Sequence, residues 1–146
     1  MVVSPDLRQT VLVLADALDL VGIDDVAHGK RVACMAYQVG TWAGLDPPAL
    51  DDIMFAGLFH DCGVSSTREH RDLTAGLDWE GEQAHCIRGE ALAATFPPLA
   101  HLAPVVRWHH THVAHHPEID APAGVLHAAN LVYMVDRVDA LIAGVR

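Results

Sequence analysis

The spacing of apolar residues along the chain predicts helices. Pro5 favours a helix start, and the apolar positions of "DLRQTVLVLADALDL" recur at helical intervals until Gly22. A second helix, "VAHGKRVACMAYQVGTWA", has Asp24 or Asp25 as candidate caps and is closed by Gly44. The first third of the chain is therefore expected to form a pair of helices.

The helical pattern resumes after a short break. Asp46 is a candidate cap with Pro47 in the first turn, and the following residues run apolar as far as His60 and Asp61. Residues 63–81 are rich in glycine, serine and charged side chains, and they predict a long loop. Loops of this length are uncommon inside compact domains and often carry function.

Three further helices are predicted in the second half. One begins near Glu82 and stops at two consecutive prolines, a shorter one covers 99–110 with a bend at Pro104, and a long one covers 121–145. No alternating strand pattern or internal repeat competes with them. We therefore predict one all-α domain over residues 1–146, built from five to seven helices.

Composition and charge narrow the function classes. Hydrophobic residues make up 51% of the chain and aromatic residues only 5%, which favours helices over a sheet. No run of 18 apolar residues occurs and the N-terminus does not resemble a signal peptide, so a soluble, cytoplasmic protein is expected. The formal charge is −10 and Lys30 is the only lysine, which argues against nucleic-acid and membrane partners. An anionic substrate would need local positive charge, and metal ions can supply it.

The three cysteines, Cys34, Cys62 and Cys86, are widely spaced and odd in number. They form no CxxC pair, so neither a disulfide framework nor a structural zinc knuckle is indicated. Each is interpreted as a small buried residue in a reducing compartment.

The segment "GLFHDCG" (57–63) ends an apolar helix with a histidine beside an aspartate. Adjacent helical side chains point about 100° apart, so His60 and Asp61 are poorly placed to bond to each other. They can converge on a third object beyond the helix end. A metal ion is the obvious candidate, and its other ligands have to come from elsewhere in the chain.

Other polar residues also interrupt apolar helical stretches. Taken singly, each is more simply a core histidine or the polar face of a helix, and "HHTHVAHH" (109–116) alone is typical of a solvated loop or an adventitious metal-binding tract. A carboxylate in the middle of an apolar helix, as at Asp136, is however costly to bury without a partner. Together they form a mixed nitrogen and oxygen set suited to first-row divalent metals, and larger than one tetrahedral ion needs. The set is His28, His60, Asp61, His85, His109, His110 and Asp136.

The order H…HD…H…HH…D resembles the HD superfamily of metal-dependent phosphohydrolases. More narrowly, it is similar to the HD-GYP branch, which hydrolyses cyclic di-GMP. The resemblance covers roughly residues 20–143 and rests on "HGKRVA", "GLFHDCG", "HCIRGEAL", "VVRWHH" and "LVYMVDRVDAL". The dipeptide HD alone is a weak signal, whereas five segments in register are a strong one. The implied fold is an HD-domain helical bundle.

The resemblance implies two divalent transition-metal ions, iron or manganese first, with zinc, nickel or cobalt also admitted by the ligand types. Asp61 would be the catalytic residue, because it would bridge the two ions across which an activated hydroxide attacks the phosphoester. A third ion is implied if Asp24 is a ligand rather than a helix cap. The implied first ion is held by His28, His60, Asp61 and Asp136, and the second by Asp61, His85, His109 and His110.

The chain departs from the HD-GYP pattern in three places. Val64 stands where the branch has a lysine for the substrate phosphate, and Arg68, Arg71 and Lys30 are candidate substitutes for it, unless they are plain surface residues. The Gly-Tyr-Pro segment after the His pair is absent. The chain also ends soon after Asp136, whereas the family domain usually runs further, so either a compact domain or one truncated at its C-terminus is expected.

Three functions remain open on this basis. The first is a phosphodiesterase acting on a cyclic dinucleotide, with cyclic di-GMP the leading substrate. The second is a non-catalytic regulatory or sensor module, and the third is a nucleotide phosphomonoesterase. Further signalling domains are possible partners. Asp139, or a glutamate in 69–82, is a candidate for orienting the ligand imidazoles.

Overall fold

The structure is a computed structural model that describes residues 6–19, 27–66, 68–69 and 82–144. Strands are absent from these ranges, so the predicted all-α class is confirmed. None of the helices in them combines the length and the apolar character that crossing a membrane requires. Two 3-10 helices, Pro97–Leu102 and Val113–Glu118, accompany the α-helices, and Arg68 and Glu69 are also helical. The α-helices are α1 (Leu7–Asp19), α2 (His28–Trp42), α3 (Pro47–Phe59), α4 (Glu82–Ala94), α5 (Ala103–Trp108) and α6 (Ala123–Gly144).

The predicted signals around the turn between α2 and α3 are confirmed. Gly44 has a φ of 79°, a left-handed conformation that follows helix ends and favours glycine. The Asp46 carboxylate accepts a hydrogen bond of 3.0 Å from the backbone N–H of Ala49, and Pro47 occupies the first turn of α3. The predicted caps of α2, Asp24 and Asp25, lie outside the described residues.

Two expectations are wrong. Pro104 does not bend a helix over 99–110, because residues 97–102 are 3-10 and α5 begins at Ala103 with Pro104 in its first turn, where no backbone N–H is needed. Cys34 is exposed, whereas Cys62 and Cys86 are buried. The buried face of α2 carries Val32 and Ala36, and position 34 points away from it.

The main core joins four of the five helices that approach the polar cluster described below. Val32 and Ala36 of α2, Ile53 of α3 and Val132 of α6 are at most 2% exposed, and α5 adds Val105. Since such side chains are packed to crystal-like density, replacing Ile53 by alanine would cost about 2–5 kcal/mol. This core fixes the ends of α2, α3 and α5, and the middle of α6, relative to one another.

A close contact between backbones sets the approach of α2 to α3. A Cβ added at Gly57 would lie 2.7 Å from the Cα of Ala33, and one at Gly29 would lie 3.2 Å from the carbonyl oxygen of Leu58. Glycine is therefore needed at Gly57 for the helices to pack at this distance. The contact places the first residue of α2, which is His28, beside the end of α3.

Candidate metal centre

Five buried imidazoles and two carboxylates converge where several helices begin or end. His28 opens α2, His60 and Asp61 directly follow α3, His85 lies in α4, His109 and His110 directly follow α5, and Asp136 lies in the middle of α6. The structure thus brings together all seven residues of the predicted set within its described part. Asp61 is the most accessible, with 22% of its side chain exposed, and the others are buried.

The first group consists of His28, His60 and Asp136, whose ligand atoms all lie within 4.8 Å of one another. The Oδ1 atom of Asp136 is 3.2 Å from Nε2 of His28 and 3.7 Å from Nε2 of His60. The three side chains come from three different elements. One carboxylate oxygen and two imidazole nitrogens therefore face a common point.

The second group consists of Asp61, His85, His109 and His110, again within 4.8 Å of one another. The Nε2 atoms of His85 and His109 face each other at 3.3 Å. The Oδ1 atom of Asp61 lies 3.4 Å from Nε2 of His85 and 3.9 Å from Nε2 of His109. This group is richer in imidazole than the first.

Asp61 lies between the two groups, and a different one of its carboxylate oxygens faces each group. Its Oδ2 atom is 3.3 Å from Nε2 of His60 and 3.7 Å from Nε2 of His28, both in the first group. Its Oδ1 atom faces His85 and His109 in the second group. A carboxylate in this position can share its two oxygens between two cations.

The hydrogen bonds of the imidazoles turn their Nε2 lone pairs inward. The Nδ1–H of His60 donates to the carbonyl of Gly57 at 2.8 Å, and that of His109 donates to the carbonyl of Val106 at 2.6 Å. A neutral imidazole with a donating Nδ1 has an acceptor at Nε2. The buried Nε2 of His60 has no hydrogen-bond partner in the described part of the chain. Inward-directed ring nitrogens of this kind suit a bound metal cation, which would displace any proton that they carry.

The carboxylates of the centre are held ionised. Burial would raise the pKa of Asp61, but the nearby imidazoles of His60 and His85 outweigh it and hold the pKa well below its usual range. Burial would likewise raise the pKa of Asp136, but the adjacent imidazoles of His28 and His60 and the guanidinium of Arg137 outweigh it and hold the pKa well below its usual range. Both carboxylates are therefore negatively charged at neutral pH, as metal ligands must be.

Asp139 orients His28 from behind. Its Oδ2 atom accepts a hydrogen bond of 2.8 Å from Nδ1 of His28, and both of its oxygens accept from the guanidinium of Arg31 at 2.7 Å. Burial raises the pKa of Asp139, but the contacts with His28 and Arg31 lower it to about 2. The expectation that Asp139 orients a candidate ligand imidazole matches this contact. Glu69, a candidate in the 69–82 segment, bonds instead to Ser65 and Arg88.

The turn that carries Asp61 is pressed against α4. A Cβ added at Gly63 would lie 2.0 Å from the carbonyl oxygen of His85 and 2.4 Å from the backbone nitrogen of Gly89, so this position requires glycine. The guanidinium of Arg88 donates to the Gly63 carbonyl at 2.8 Å and also pairs with Glu69. The segment that follows Asp61 is thereby attached to the helix that carries His85.

Two of the three cations predicted to contact substrate, Lys30 and Arg68, lie in the described part of the chain. Lys30 points towards α1, where its ammonium pairs with Asp16, because it lies about 200° around α2 from His28. Arg68 is exposed in the segment after the Asp61 turn. Arg71 and the third-ion candidate Asp24 lie outside the described residues.

Two other side chains contact the cluster, and sequence reasoning missed the first of them. The guanidinium of Arg137 donates to Oδ2 of Asp136 at 2.6 and 3.1 Å, and only 11% of this side chain is exposed. The Sγ atom of Cys86 lies 3.6 Å from Nε2 of His85. The only signal in the sequence is adjacency, because Arg137 directly follows Asp136 and Cys86 directly follows His85.

Comparison with known proteins gives one curated relative. No protein-family model and no solved structure matches the chain. The chain is 36% identical over 136 residues to the 3'3'-cGAMP-specific phosphodiesterase 1 of Vibrio cholerae serotype O1 (strain ATCC 39315 / El Tor Inaba N16961). The match covers 93% of this chain but 32% of the relative, so the chain spans about a third of the relative's length. The similarity supports the resemblance to HD-type phosphohydrolases and does not test the HD-GYP assignment.

Proposed function

We propose that this chain is a metal-dependent phosphodiesterase domain that hydrolyses a cyclic dinucleotide at a dinuclear centre. The observation that carries the proposal is the position of Asp61, whose two oxygens each face a separate group of inward-directed ligand atoms. A site for one structural ion would need only one such group. Two adjacent groups joined by a carboxylate are typical of phosphoester hydrolysis by two metal ions.

Each of the two ion positions would have its own set of ligand side chains. The first group, His28, His60 and Asp136, would hold one ion together with Asp61, and the second group would hold the other. Iron or manganese suits a set of imidazoles and carboxylates, and zinc, nickel and cobalt are accommodated by the same donor types. When bound, the ions would supply Lewis acidity that activates water and offsets charge on the phosphate.

The protein itself supplies orientation and electrostatic balance. Asp139 holds His28 through Nδ1, and backbone carbonyls hold His60 and His109 in the same way. These contacts keep the ring nitrogens aimed at the ion positions without rearrangement, which is the usual role of such outer contacts. Asp61, the most accessible of the seven, marks the open side from which a phosphoester would enter.

The substrate class rests on the relative and on the motif order. The printed name of the relative specifies 3'3'-cGAMP, a cyclic dinucleotide, and the relative is aligned over nearly the whole of this chain. We propose a cyclic dinucleotide as substrate, and cyclic di-GMP and 3'3'-cGAMP are the two to be compared directly. Two divalent cations bound in a chain of net charge −10 would also explain how an acidic protein accepts an anionic substrate, since the metals would supply the local positive charge.

One observation favours a second candidate, binding without turnover. Val64 follows the Asp61 turn where the HD-GYP pattern has a lysine, and this position offers the substrate phosphate no charge. A module of this kind would retain nucleotide affinity and metal while lacking hydrolysis.

The test is elemental analysis of anaerobically purified protein, with turnover of both cyclic dinucleotides and of mononucleotides measured on the same sample. Two ions per chain together with a linear dinucleotide product are expected. Two ions with nucleotide binding but no turnover would favour the sensor, and hydrolysis confined to mononucleotides would favour the phosphomonoesterase. A metal content of one ion or none would contradict the dinuclear centre.

A further inference from the structure

The second carboxylate of the centre, Asp136, also has an oxygen near each group. Its Oδ1 atom faces the first group, 3.2 Å from Nε2 of His28 and 3.7 Å from Nε2 of His60. Its Oδ2 atom lies 4.0 Å from Nε2 of His110, which belongs to the second group. From these distances alone, Asp136 as well as Asp61 is placed to share its oxygens between two cations.

Arg137 distinguishes Asp136 from Asp61. Its guanidinium donates to Oδ2 of Asp136 from Nη2 at 2.6 Å and from Nε at 3.1 Å. Both of these hydrogen bonds end on the oxygen that lies near the second group, whereas Oδ1 faces the imidazoles of the first group. A cationic side chain is therefore already bound to the oxygen through which Asp136 would reach a second ion.

The surroundings of Arg137 on α6 hold it in this position. Only 11% of its side chain is exposed, although Met134 and Val138 beside it on the helix are exposed. The guanidinium carbon lies 6.0 Å from the centre of the Tyr133 ring, and that ring packs at a steep angle against His110, with the ring centres 5.8 Å apart. Arginine is seldom buried unless it is paired, and a planar guanidinium can meet a carboxylate and an aromatic ring together. The contact with Asp136 is thus more than an ion pair on the surface.

Given the proposed dinuclear centre, on which this inference rests, we propose that Arg137 is a positioning residue that restricts Asp136 to the first ion. With Oδ2 occupied by the guanidinium, Asp136 binds that ion through Oδ1 alone. Asp61 is then the carboxylate that the two ions share. Arg137 acts through Asp136 and needs no contact with the substrate.

The restriction of Asp136 matters because it keeps a coordination position open. Catalytic metal sites retain a position for water or substrate, and a carboxylate that binds through both oxygens would fill it. The guanidinium also places a positive charge close to the ions, and this charge lowers their affinity because like charges repel. Arg137 should therefore weaken metal binding while it increases turnover.

The first test measures cobalt(II) affinity, by titration against a chelator, and turnover of the cyclic dinucleotide. Arg137→Met removes the charge and keeps a long side chain with a high helix propensity. We expect its metal affinity to rise several-fold and its turnover to fall by about 10-fold or more. Arg137→Lys keeps the charge and should lie between Arg137→Met and the wild type in both quantities.

The matched control is Arg8→Met, because Arg8 pairs with Asp51 near the start of α3 and should change neither quantity. Circular dichroism checks that each variant keeps its helix content. A loss of both metal affinity and turnover in Arg137→Met would show that the side chain only supports packing, and it would overturn the proposal. An unchanged affinity, or a lysine variant no different from the methionine variant, would overturn it as well. The affinity measurement does not depend on hydrolysis.

The second test is the crystal structure of the metal-loaded protein, as wild type and as Arg137→Met. In the wild type Oδ1 of Asp136 should be its only coordinating atom, and in the variant Oδ2 should also coordinate an ion. Two ions with Asp136 bound through both oxygens in the wild type would overturn the role of Arg137 and leave the dinuclear centre intact. A single ion held through Oδ1 would contradict the dinuclear centre and support the restriction of Asp136. A first group without an ion would contradict both.

Discussion

The two groups of the candidate centre differ in how they balance charge. In the first group, burial lowers the pKa of His28, but hydrogen bonds to Asp136 and Asp139 outweigh it and raise the pKa to about 9. The pKa of His60 is raised well above its usual value against burial in the same way, by Asp61 and Asp136. In a metal-free chain, protons on His28 and His60 therefore balance the negative charge of the carboxylates in the first group.

The second group behaves in the opposite way. Burial lowers the pKa of His110 to about 4, and burial together with the neighbouring imidazoles holds the pKa of His109 well below its ordinary value. The pKa of His85 is also lowered, with burial the largest cause. These imidazoles are neutral at pH 7 and keep their lone pairs available.

The difference shows that one site can contain two cation positions whose imidazoles differ in protonation. A cation entering the first group has to displace protons, whereas the second group is already in the form that binds metal. Asp61 belongs to both environments, since it contributes one oxygen to each. The predictions below ask whether the two positions can be separated experimentally, beginning with the residue that joins them.

Asp61→Asn should have the largest effect. The amide keeps the shape of the side chain but removes the negative charge that faces both groups, so we expect both ions to bind more weakly. Loss of a contact outside the ligand shell typically costs about 10–100-fold in activity, and loss of this shared carboxylate should cost more than that. Metal content and turnover are measured on the same preparation. Asp120→Asn, at an exposed aspartate, is the matched control, and full activity of Asp61→Asn would contradict the bridging role.

His60→Ala and His109→Ala separate the two positions. Each removes one imidazole from a single group, so each variant should lose about one of the two ions and retain the other. The remaining ion should differ in its surroundings, which spectroscopy of a cobalt-substituted sample can distinguish. His112→Ala, an exposed histidine three residues from His109, should keep both ions. Loss of both ions in either variant would show that the groups act as one unit.

Much of this architecture could be predicted from the chain itself. The helices follow from apolar periodicity, and Asp46 and Gly44 behave as the cap and terminator that their side chains favour. Periodicity tells which face of a helix is apolar but not which neighbour covers it. Cys34, interpreted from cysteine spacing as a small buried residue, is exposed, because it lies on a face of α2 that no described helix covers.

The candidate site was harder to predict from the sequence than the helices were. The meeting of His85 with His109 joins residues 24 positions apart across a run of prolines, and the order of motifs suggested it only through a family resemblance. Arg137 was missed because an arginine next to an aspartate usually reads as surface charge, and here its guanidinium folds back on Asp136. Contacts of this kind depend on side-chain directions that a linear pattern does not contain.

Asp139→Asn should weaken the first group alone. The amide can no longer accept two strong hydrogen bonds from Arg31 while fixing His28, so we expect about a 10–100-fold loss of activity or of metal affinity. The second ion should remain, because Asp139 bonds to His28 of the first group and to Arg31. Metal titration of the variant, followed by elemental analysis, measures this. An equal loss of both ions would contradict the assignment of Asp139 to one position.

Glu69→Gln should have the smallest effect, on the segment beside the second group. Burial raises the pKa of Glu69, but hydrogen bonds from Ser65 and Arg88 outweigh it and lower the pKa. A carboxylate with a lowered pKa stabilises the fold at pH values above its unfolded pKa, and this contribution is lost as the pH falls through the folded pKa.

The wild type should therefore exceed Glu69→Gln by at most about 1 kcal/mol in free energy of unfolding at pH 7, since the contact is near the surface. Urea denaturation at pH 7 and at pH 3 measures the difference, which should shrink at the lower pH. Glu118→Gln, at an exposed glutamate, provides the baseline. A difference that stayed the same at both pH values would mean that shape, and not charge, attaches the Asp61 turn to α4. The Asp61 turn would then be held against α4 by packing alone. The electrostatic difference between the two groups would arise only from their ligand residues.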